Sequence, residues 1–119
     1  MENCIFCKIV NRESSATIVF EDDVSMVIEP RDSISKGHVL VISKKHVVNM
    51  LDADDEILSH AIIVAKNIGK DLLEKNSAQA LNLLHAAGKE AQQSAFHLHF
   101  HVVPRYDNDG LDLWFRNNL

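Results

Sequence analysis

Several features that mark other classes of protein are missing from this sequence. No apolar run approaches the roughly 20 residues that a membrane-spanning helix needs, and the first residues do not resemble a secretory signal peptide. The chain also has no linker rich in proline, glycine or serine, no internal repeat and no low-complexity segment. We therefore expect a single cytoplasmic domain over residues 1–119, with no membrane partner.

Positive charge is also scarce. Lysine and arginine number 12 against 17 aspartates and glutamates, which gives a formal net charge of −5 at pH 7. A dedicated nucleic-acid-binding protein normally has a basic face, so this balance argues against nucleic acid as a partner. The hydrophobic fraction of 46% and charged fraction of 24% are those of an ordinary globular domain with its own core.

Cysteine occurs only twice, as the pair Cys4 and Cys7 in a Cys-x-x-Cys arrangement. In a cytoplasmic protein such a pair indicates metal binding or redox chemistry more often than a structural disulfide. A thioredoxin-type redox motif belongs to a βαβ unit, which the pattern around this pair does not predict. A metal would need two more ligands, and the chain has seven histidines to supply them. Two buried thiols beside an exposed His46 remain the alternative.

The distribution of apolar residues predicts an α+β domain. A long amphipathic helix is expected over residues 52–76, where Ile57, Ala61, Val64, Ile68 and Leu72 recur every three or four positions. A short helix is expected over residues 5–10, and strands over residues 17–20, 25–29, 38–42, 80–84 and 96–103. This order predicts an antiparallel sheet of about five strands that is covered on one face.

The most distinctive segment of the chain is a row of alternating histidines. Because successive side chains of a strand point to opposite faces, His97, His99 and His101 should share one face, roughly 6.5–7 Å apart. The intervening Leu98, Phe100 and Val102 should face the other side. Alternation alone permits a solvated polar face, a metal cluster or a row of catalytic groups.

The ordered motifs of the chain resemble those of the histidine triad (HIT) family, and in particular its Hint-like branch of nucleotide hydrolases. The run from His97 to Val103 matches the family signature. The resemblance extends over nearly the whole chain, through Cys4-Ile5-Phe6-Cys7-Lys8-Ile9, Phe20-Glu21-Asp22-Asp23, Gly37-His38-Val39-Leu40-Val41-Ile42, Lys44-Lys45-His46 and Pro104-Arg105.

This resemblance implies a nucleotidyl hydrolase that cleaves nucleoside phosphoramidates or related purine mononucleotide conjugates. His99 would be the nucleophile and would form a nucleotidyl-histidine intermediate that water then hydrolyses. His101 would hydrogen-bond the phosphoryl oxygens or the leaving group. Four further residues would bind the substrate: Gln93, Ser94, Asn82 and His38. Of these, His38 would also orient the histidine row.

The resemblance also implies a structural zinc ion and a homodimer. The zinc ligands would be Cys4, Cys7, His46 and His97, and four protein ligands would leave no open position on the metal. The C-terminal tail containing Trp114 would reach towards the active site of the partner subunit. The other partner would be a small-molecule nucleotide.

The sequence departs from the family at the end that would recognise the nucleoside. Pro30 and Arg31 occupy the positions where an aspartate and an apolar residue are usual, and Ala86 replaces an asparagine. A small residue near the phosphate is replaced by Gln92. Three alternatives therefore stay open: hydrolysis of dinucleoside polyphosphates, a nucleotide-binding regulatory protein with little turnover, and a hydrolase whose histidine row holds a catalytic metal.

Overall fold

The computed structural model describes residues 3–115, which contain five β-strands and two α-helices. In chain order these are α1 (Ile5–Val10), β1 (Ile18–Glu21), β2 (Ser25–Ile28), β3 (Val39–Ser43), α2 (Asp55–Lys75), β4 (Ala80–Leu84) and β5 (His99–Arg105), with a single 3₁₀ turn at Lys89–Ala91 between β4 and β5.

The strands form one antiparallel sheet in the order β1-β2-β3-β5-β4. The predicted α+β class and number of strands are confirmed. None of the helices within residues 3–115 is both long and apolar enough to cross a membrane.

The two helices lie on opposite faces of the sheet. The apolar stripe of α2 packs on one face, where Leu98, Phe100 and Val102 are at most 4% exposed. On the other face, Phe6 and Ile9 of α1 pack against apolar side chains of β2 and β3. The second face therefore has partial cover that the sequence pattern does not predict, and it is the face that carries the histidines.

The long helix begins later than expected because two aspartates have different tasks. Asp54 is the N-cap residue, and its carboxylate accepts a hydrogen bond of 2.9 Å from the backbone N–H of Ile57. The carboxylate of Asp52 instead accepts from the backbone N–H groups of Val48 and Asn49. Asp52 therefore orders the turn before α2 and does not lie within the helix.

The last strand begins at His99 and not at Phe96, and it continues through Pro104 to Arg105. A proline is tolerated here because β3 pairs with β5 only as far as Val102. The N–H of Gln79 donates to the carbonyl of Arg105, so Arg105 faces β4. Pro104 consequently faces the β3 side, beyond the start of β3, where no donor is needed.

Candidate functional site

The three alternating histidines lie on the α1 side of the sheet, as the alternation predicts. Although His97 precedes β5, its ring shares that side with His99 and His101. The rings of His99 and His101 have centroids 5.3 Å apart. The ring of Phe6 in α1 packs edge-on against two of the histidine rings, with ring centroids 5.6 Å apart for His97 and 5.2 Å apart for His99. The row is therefore partly shielded from water by a single aromatic ring.

One nitrogen of His99 is fixed by the backbone. Its Nδ1 lies 2.8 Å from the carbonyl oxygen of His97, and only a protonated Nδ1 can donate to a carbonyl. The other nitrogen, Nε2, therefore carries a lone pair. Burial lowers the pKa of His99, with a smaller contribution from His85. A neutral imidazole with an unprotonated Nε2 is the nucleophilic form of the side chain.

His101 is oriented by His38, which the structure places directly beside it. The backbone N–H of Ile34 donates to Nδ1 of His38 at 3.2 Å, so the proton of a neutral His38 must be on Nε2. That Nε2 lies 3.0 Å from Nδ1 of His101. His101 therefore accepts at Nδ1 and presents an N–H at Nε2. Burial and the neighbouring histidines lower the pKa of His101 to about 4, which keeps it neutral.

The remaining member of the row belongs to a second cluster. One ligand atom from each of Cys4, Cys7, His46 and His97 lies within 4.8 Å of the others, and the four residues could hold a metal ion. Nδ1 of His97 is 3.3 Å from Sγ of Cys4, and Nδ1 of His46 is 3.2 Å from Sγ of Cys7. A tetrahedral zinc ion, with bonds of about 2.3 Å to sulfur and about 2.0 Å to nitrogen, would separate such atoms by roughly 3.5 Å. The donor set therefore fits zinc.

The surroundings of this cluster also suit a cation. Nε2 of His97 donates to the carbonyl of Ser43 at 2.6 Å, which leaves Nδ1 free of a proton and aimed at the thiols. This is the usual way in which a second partner orients a metal-binding histidine. Burial raises the pKa of Cys7 to about 11, with smaller contributions from the hydrogen bond with Cys4 and from the repulsion between two close thiolates. A bound cation would remove that repulsion.

The residues predicted to contact substrate have different settings. Gln93 is buried, and both ends of its amide are engaged: Nε2 donates to the carbonyls of Val48 and Ala95, while Oε1 accepts from the N–H of Gly88 and from Asn49. Ser94 is exposed and lines a pocket of about 660 Å³ beside the metal-binding cluster. The substrate contacts of Gln93 and Ser94 stay predictions.

Asn82 lies on the histidine face of β4, two residues before Leu84, which is the partner of His101. Its Oδ1 accepts from Arg105 at 2.9 Å, and the same guanidinium binds Asp109. Arg105 also donates to the carbonyl of Leu111, so this group ties the C-terminal segment to β4. A contact of Asn82 with substrate also stays a prediction.

Sequence reasoning does not identify two contributors to these clusters, Phe6 and His85. The apolar side chain of Phe6 does not indicate a functional role, although its position between Cys4 and Cys7 in the sequence could have done so. His85 reads equally as a pocket residue or an exposed loop residue, yet its two ring nitrogens contact His99 and Met50. His60 has no role here, because it binds Asp22 at 2.8 Å and joins α2 to the turn after β1.

A cleft of about 720 Å³ lies next to the histidine row. Phe6 and Leu40 line it, and these residues adjoin His99 and His101 respectively. Most of the remaining lining is apolar, and Glu29, Pro30 and Arg31 form its charged and turn-forming part. Two of the residues that depart from the family pattern, Pro30 and Arg31, therefore line a cleft that adjoins the histidine row.

The buried and partly buried histidines of the site should make the protein less stable in acid. Burial lowers the folded-state pKa of His38, His97 and His99, and that of His101 reaches about 4, whereas an unfolded histidine titrates near pH 6.5. The folded protein thus binds fewer protons than the unfolded chain between pH 6.5 and about 4. The free energy of unfolding is therefore undiminished above pH 6.5 and falls as the pH drops through this window.

For His101 alone, the expected loss between pH 7 and pH 5 is about 2 kcal/mol. Urea denaturation of the chelator-treated protein at both pH values measures it without a contribution from metal release. His101→Asn should show a pH dependence shallower by about that amount. Identical pH dependences for the two proteins would contradict the assigned burial of His101.

The comparisons with known proteins agree with this geometry. The family model for the HIT domain matches residues 11–108. An uncharacterized HIT-like protein of Borreliella burgdorferi is 39% identical over 121 residues, which cover 100% of this chain and 87% of the relative. The adenylylsulfatase HINT3 of Arabidopsis thaliana is 30% identical over 117 residues, covering 98% of this chain and 58% of that protein.

A solved structure provides a comparison for the metal-binding cluster. The Zn-bound histidine triad family protein from Mycobacterium smegmatis is 32% identical, with a TM-score of 0.90 over 98% of this chain and 85% of that chain. Since the family model covers most of the sequence and the Borreliella relative spans all of it, the chain belongs to the HIT family.

Proposed function

We propose that this protein hydrolyses nucleoside phosphoramidates, or related purine mononucleotide conjugates, through a covalent nucleotidyl intermediate on His99. The observation that carries the proposal is the opposite protonation of two adjacent rings. His99 presents a lone pair at Nε2, whereas His101 presents an N–H at Nε2. A nucleophile beside a neutral hydrogen-bond donor suits attack on phosphorus.

In the first step, Nε2 of His99 attacks the phosphorus atom. A bond forms between Nε2 and phosphorus while the bond from phosphorus to the leaving group breaks, and the leaving amine takes up a proton from water. The ring of His99 then carries a positive charge, which the carbonyl of His97 stabilises through the Nδ1–H hydrogen bond. The N–H of His101 stabilises the phosphoryl oxygens.

In the second step, water attacks the same phosphorus atom. The bond between Nε2 and phosphorus breaks, its electron pair returns to the ring, and neutral His99 is restored with its proton still on Nδ1. This step yields a nucleoside monophosphate and a proton, and the proton neutralises the hydroxide that remained when water protonated the leaving amine. The cleft beside Phe6 and Leu40 would hold the nucleoside, since it adjoins both catalytic rings.

Zinc bound by Cys4, Cys7, His46 and His97 would act as a structural cross-link, because four protein ligands leave no position for substrate. The HIT-family relative with bound zinc supports this identity of the metal. Among the described residues, His99 and His101 are not part of a candidate metal cluster. A catalytic metal on the histidine row is therefore the weaker alternative.

A homodimer is the assembly that the exposed apolar surface favours. β4 is the last strand of the sheet, and Leu83 on it is 42% exposed. Ile63 of α2 is 55% exposed. Pairing of these surfaces across a two-fold axis would bury both.

In the C-terminal tail, which the sequence predicts to reach towards the partner subunit, Trp114 is exposed and stacks on Phe115. Residues 116–119 lie outside the described part of the chain.

Two substrates separate the proposed activity from its alternatives. The zinc-loaded protein is incubated with a fluorogenic adenosine 5′-phosphoramidate and, separately, with a diadenosine polyphosphate. Faster release of adenosine monophosphate from the phosphoramidate is the expected result. Preference for the polyphosphate would favour the dinucleoside reaction. Tight binding of adenosine monophosphate with no turnover of either compound would favour a regulatory protein. For each of these functions we propose a cytoplasmic location.

A further inference from the structure

Of the two strands that flank β5, β3 pairs with it as far as His99, whereas β4 ends two residues before it reaches His99. β4 pairs with β5 up to Leu84, whose partner is His101, and the chain then leaves the sheet. The backbone of His99 thus lies beyond the end of β4. The side chain of the next residue, His85, fills this place: its Nδ1 lies 2.9 Å from the carbonyl oxygen of His99.

Both ring nitrogens of His85 have backbone partners, and these partners determine its protonation. A carbonyl accepts, so Nδ1 must carry the proton. The N–H of Met50 donates to Nε2 at 3.1 Å, so Nε2 must carry the lone pair. The ring also packs on Phe100 with centroids 4.7 Å apart. His85 therefore has no free nitrogen to offer a substrate.

The contact with Met50 connects His99 to an ordered turn. The carboxylate of Asp52 accepts from the N–H groups of Val48 and Asn49 in that turn. The same turn binds Gln93, whose amide oxygen accepts from the N–H of Gly88. The nucleophile and the loop that precedes it in the chain are thus anchored to one turn, the first by His85 and the second by Gln93.

We propose that His85 is a positioning residue, which holds the backbone of His99 so that Nε2 points at phosphorus. The proposal rests on the function proposed above for His99. Holding a reacting atom in line affects the rate of the chemical step more than substrate affinity, and a displacement of about 1 Å can cost two orders of magnitude in rate. Loss of His85 should therefore lower kcat and leave KM nearly unchanged.

Three substitutions at this position separate the two nitrogens. In His85→Asn the amide nitrogen occupies the place of Nδ1 and can still donate to His99. In His85→Gln the amide reaches only the place of Nε2, so it can contact Met50 but not His99. His85→Leu keeps the apolar contact with Phe100 and removes both hydrogen bonds. His60→Leu is the matched control, because it removes another half-buried histidine that bonds a distant segment.

We expect kcat to fall about tenfold in His85→Leu and His85→Gln, with KM within about twofold of the original value. His85→Asn should retain kcat to within about threefold, and His60→Leu should have the kcat and KM of the unaltered protein. Thermal midpoints and metal content are measured for each variant. Equal losses in the asparagine and glutamine variants, or a rise in KM with kcat unchanged, would overturn the positioning role.

A second measurement does not depend on turnover. The nitrogen-15 NMR spectrum of the full chain should show His85 protonated at Nδ1, and protonation at Nε2 would overturn the assigned contacts. In quenched samples, His85→Leu should form the His99 adduct more slowly than the unaltered protein. If no adduct forms in any variant or in the unaltered protein, His99 is not the nucleophile. The NMR spectrum tests the protonation of His85 independently of that result.

Discussion

Replacement of His99 by alanine is expected to lower kcat for an adenosine phosphoramidate by about four orders of magnitude. His99 is the residue of the row that combines a lone pair at Nε2 with a backbone contact that fixes its orientation. Without it, no bond to phosphorus can form, and the donors that remain can stabilise only direct attack by water. The residual rate should therefore be that of a binding site without a nucleophile.

A second variant tests whether the loss comes from chemistry or from folding. His99→Asn places an amide nitrogen where Nδ1 lies, so the hydrogen bond to the carbonyl of His97 can persist. We expect it to lose as much activity as His99→Ala while keeping a near-native thermal midpoint. His60→Ala, in the distant contact with Asp22, serves as the matched histidine control. Turnover by His99→Ala at a rate close to that of the unaltered protein would exclude His99 as the nucleophile.

Loss of the metal is expected to have the largest effect on stability. The four ligands join α1 to the turn after β3 and to the segment before β5. Binding energy at a structural zinc site contributes directly to folding, so we expect removal to lower the free energy of unfolding by about 5 kcal/mol. For a domain of this size that corresponds to a drop of roughly 20 °C in Tm.

The measurement compares thermal unfolding with and without a chelator in three proteins. The unaltered protein and His60→Asn should both lose Tm when chelator is added. His46→Asn, which lacks one ligand, should start at a lower Tm and respond little to chelator. A Tm that is the same with and without chelator in the unaltered protein, together with less than one bound zinc per chain, would contradict the metal assignment.

Metal removal should also affect the histidine row indirectly. Phe6 lies between Cys4 and Cys7 in the chain and packs against the ring of His99. The carbonyl of His97, a proposed ligand, accepts the hydrogen bond that orients His99. The candidate metal cluster and the proposed nucleophile are thus linked through Phe6 of α1, which lies between two of the ligands, and through the carbonyl group of His97.

The sequence predicts the face of each histidine because alternation along a strand follows directly from backbone geometry. It also predicts α2 from its apolar period and the strands of the antiparallel sheet from their apolar runs and the turns between them. Which aspartate caps α2 is not predictable in this way. Asp52 and Asp54 are chemically equivalent, and only the folded turn at Val48 and Asn49 gives Asp52 its other partners.

The protonation of the histidine rings also lies beyond sequence reasoning. His99 and His101 occupy equivalent positions in the pattern, yet one donates from Nδ1 to a carbonyl and the other accepts at Nδ1 from His38. The difference depends on Ile34, whose N–H fixes the state of His38. Gln93 is similar, since the sequence predicts a substrate contact for its polar side chain, whereas its burial depends on the fold of the Gly88 loop.

The central claim is a covalent bond between His99 and phosphorus, and intact-mass analysis after rapid quenching tests it most directly. The protein is mixed with excess adenosine phosphoramidate and quenched in alkali, because bonds between phosphorus and imidazole are labile in acid. We predict a mass increase of one adenosine monophosphate in the unaltered protein, located on His99 by peptide mapping, and none in His99→Asn. Full turnover without any adduct, or an adduct of equal yield in His99→Asn, would contradict the account.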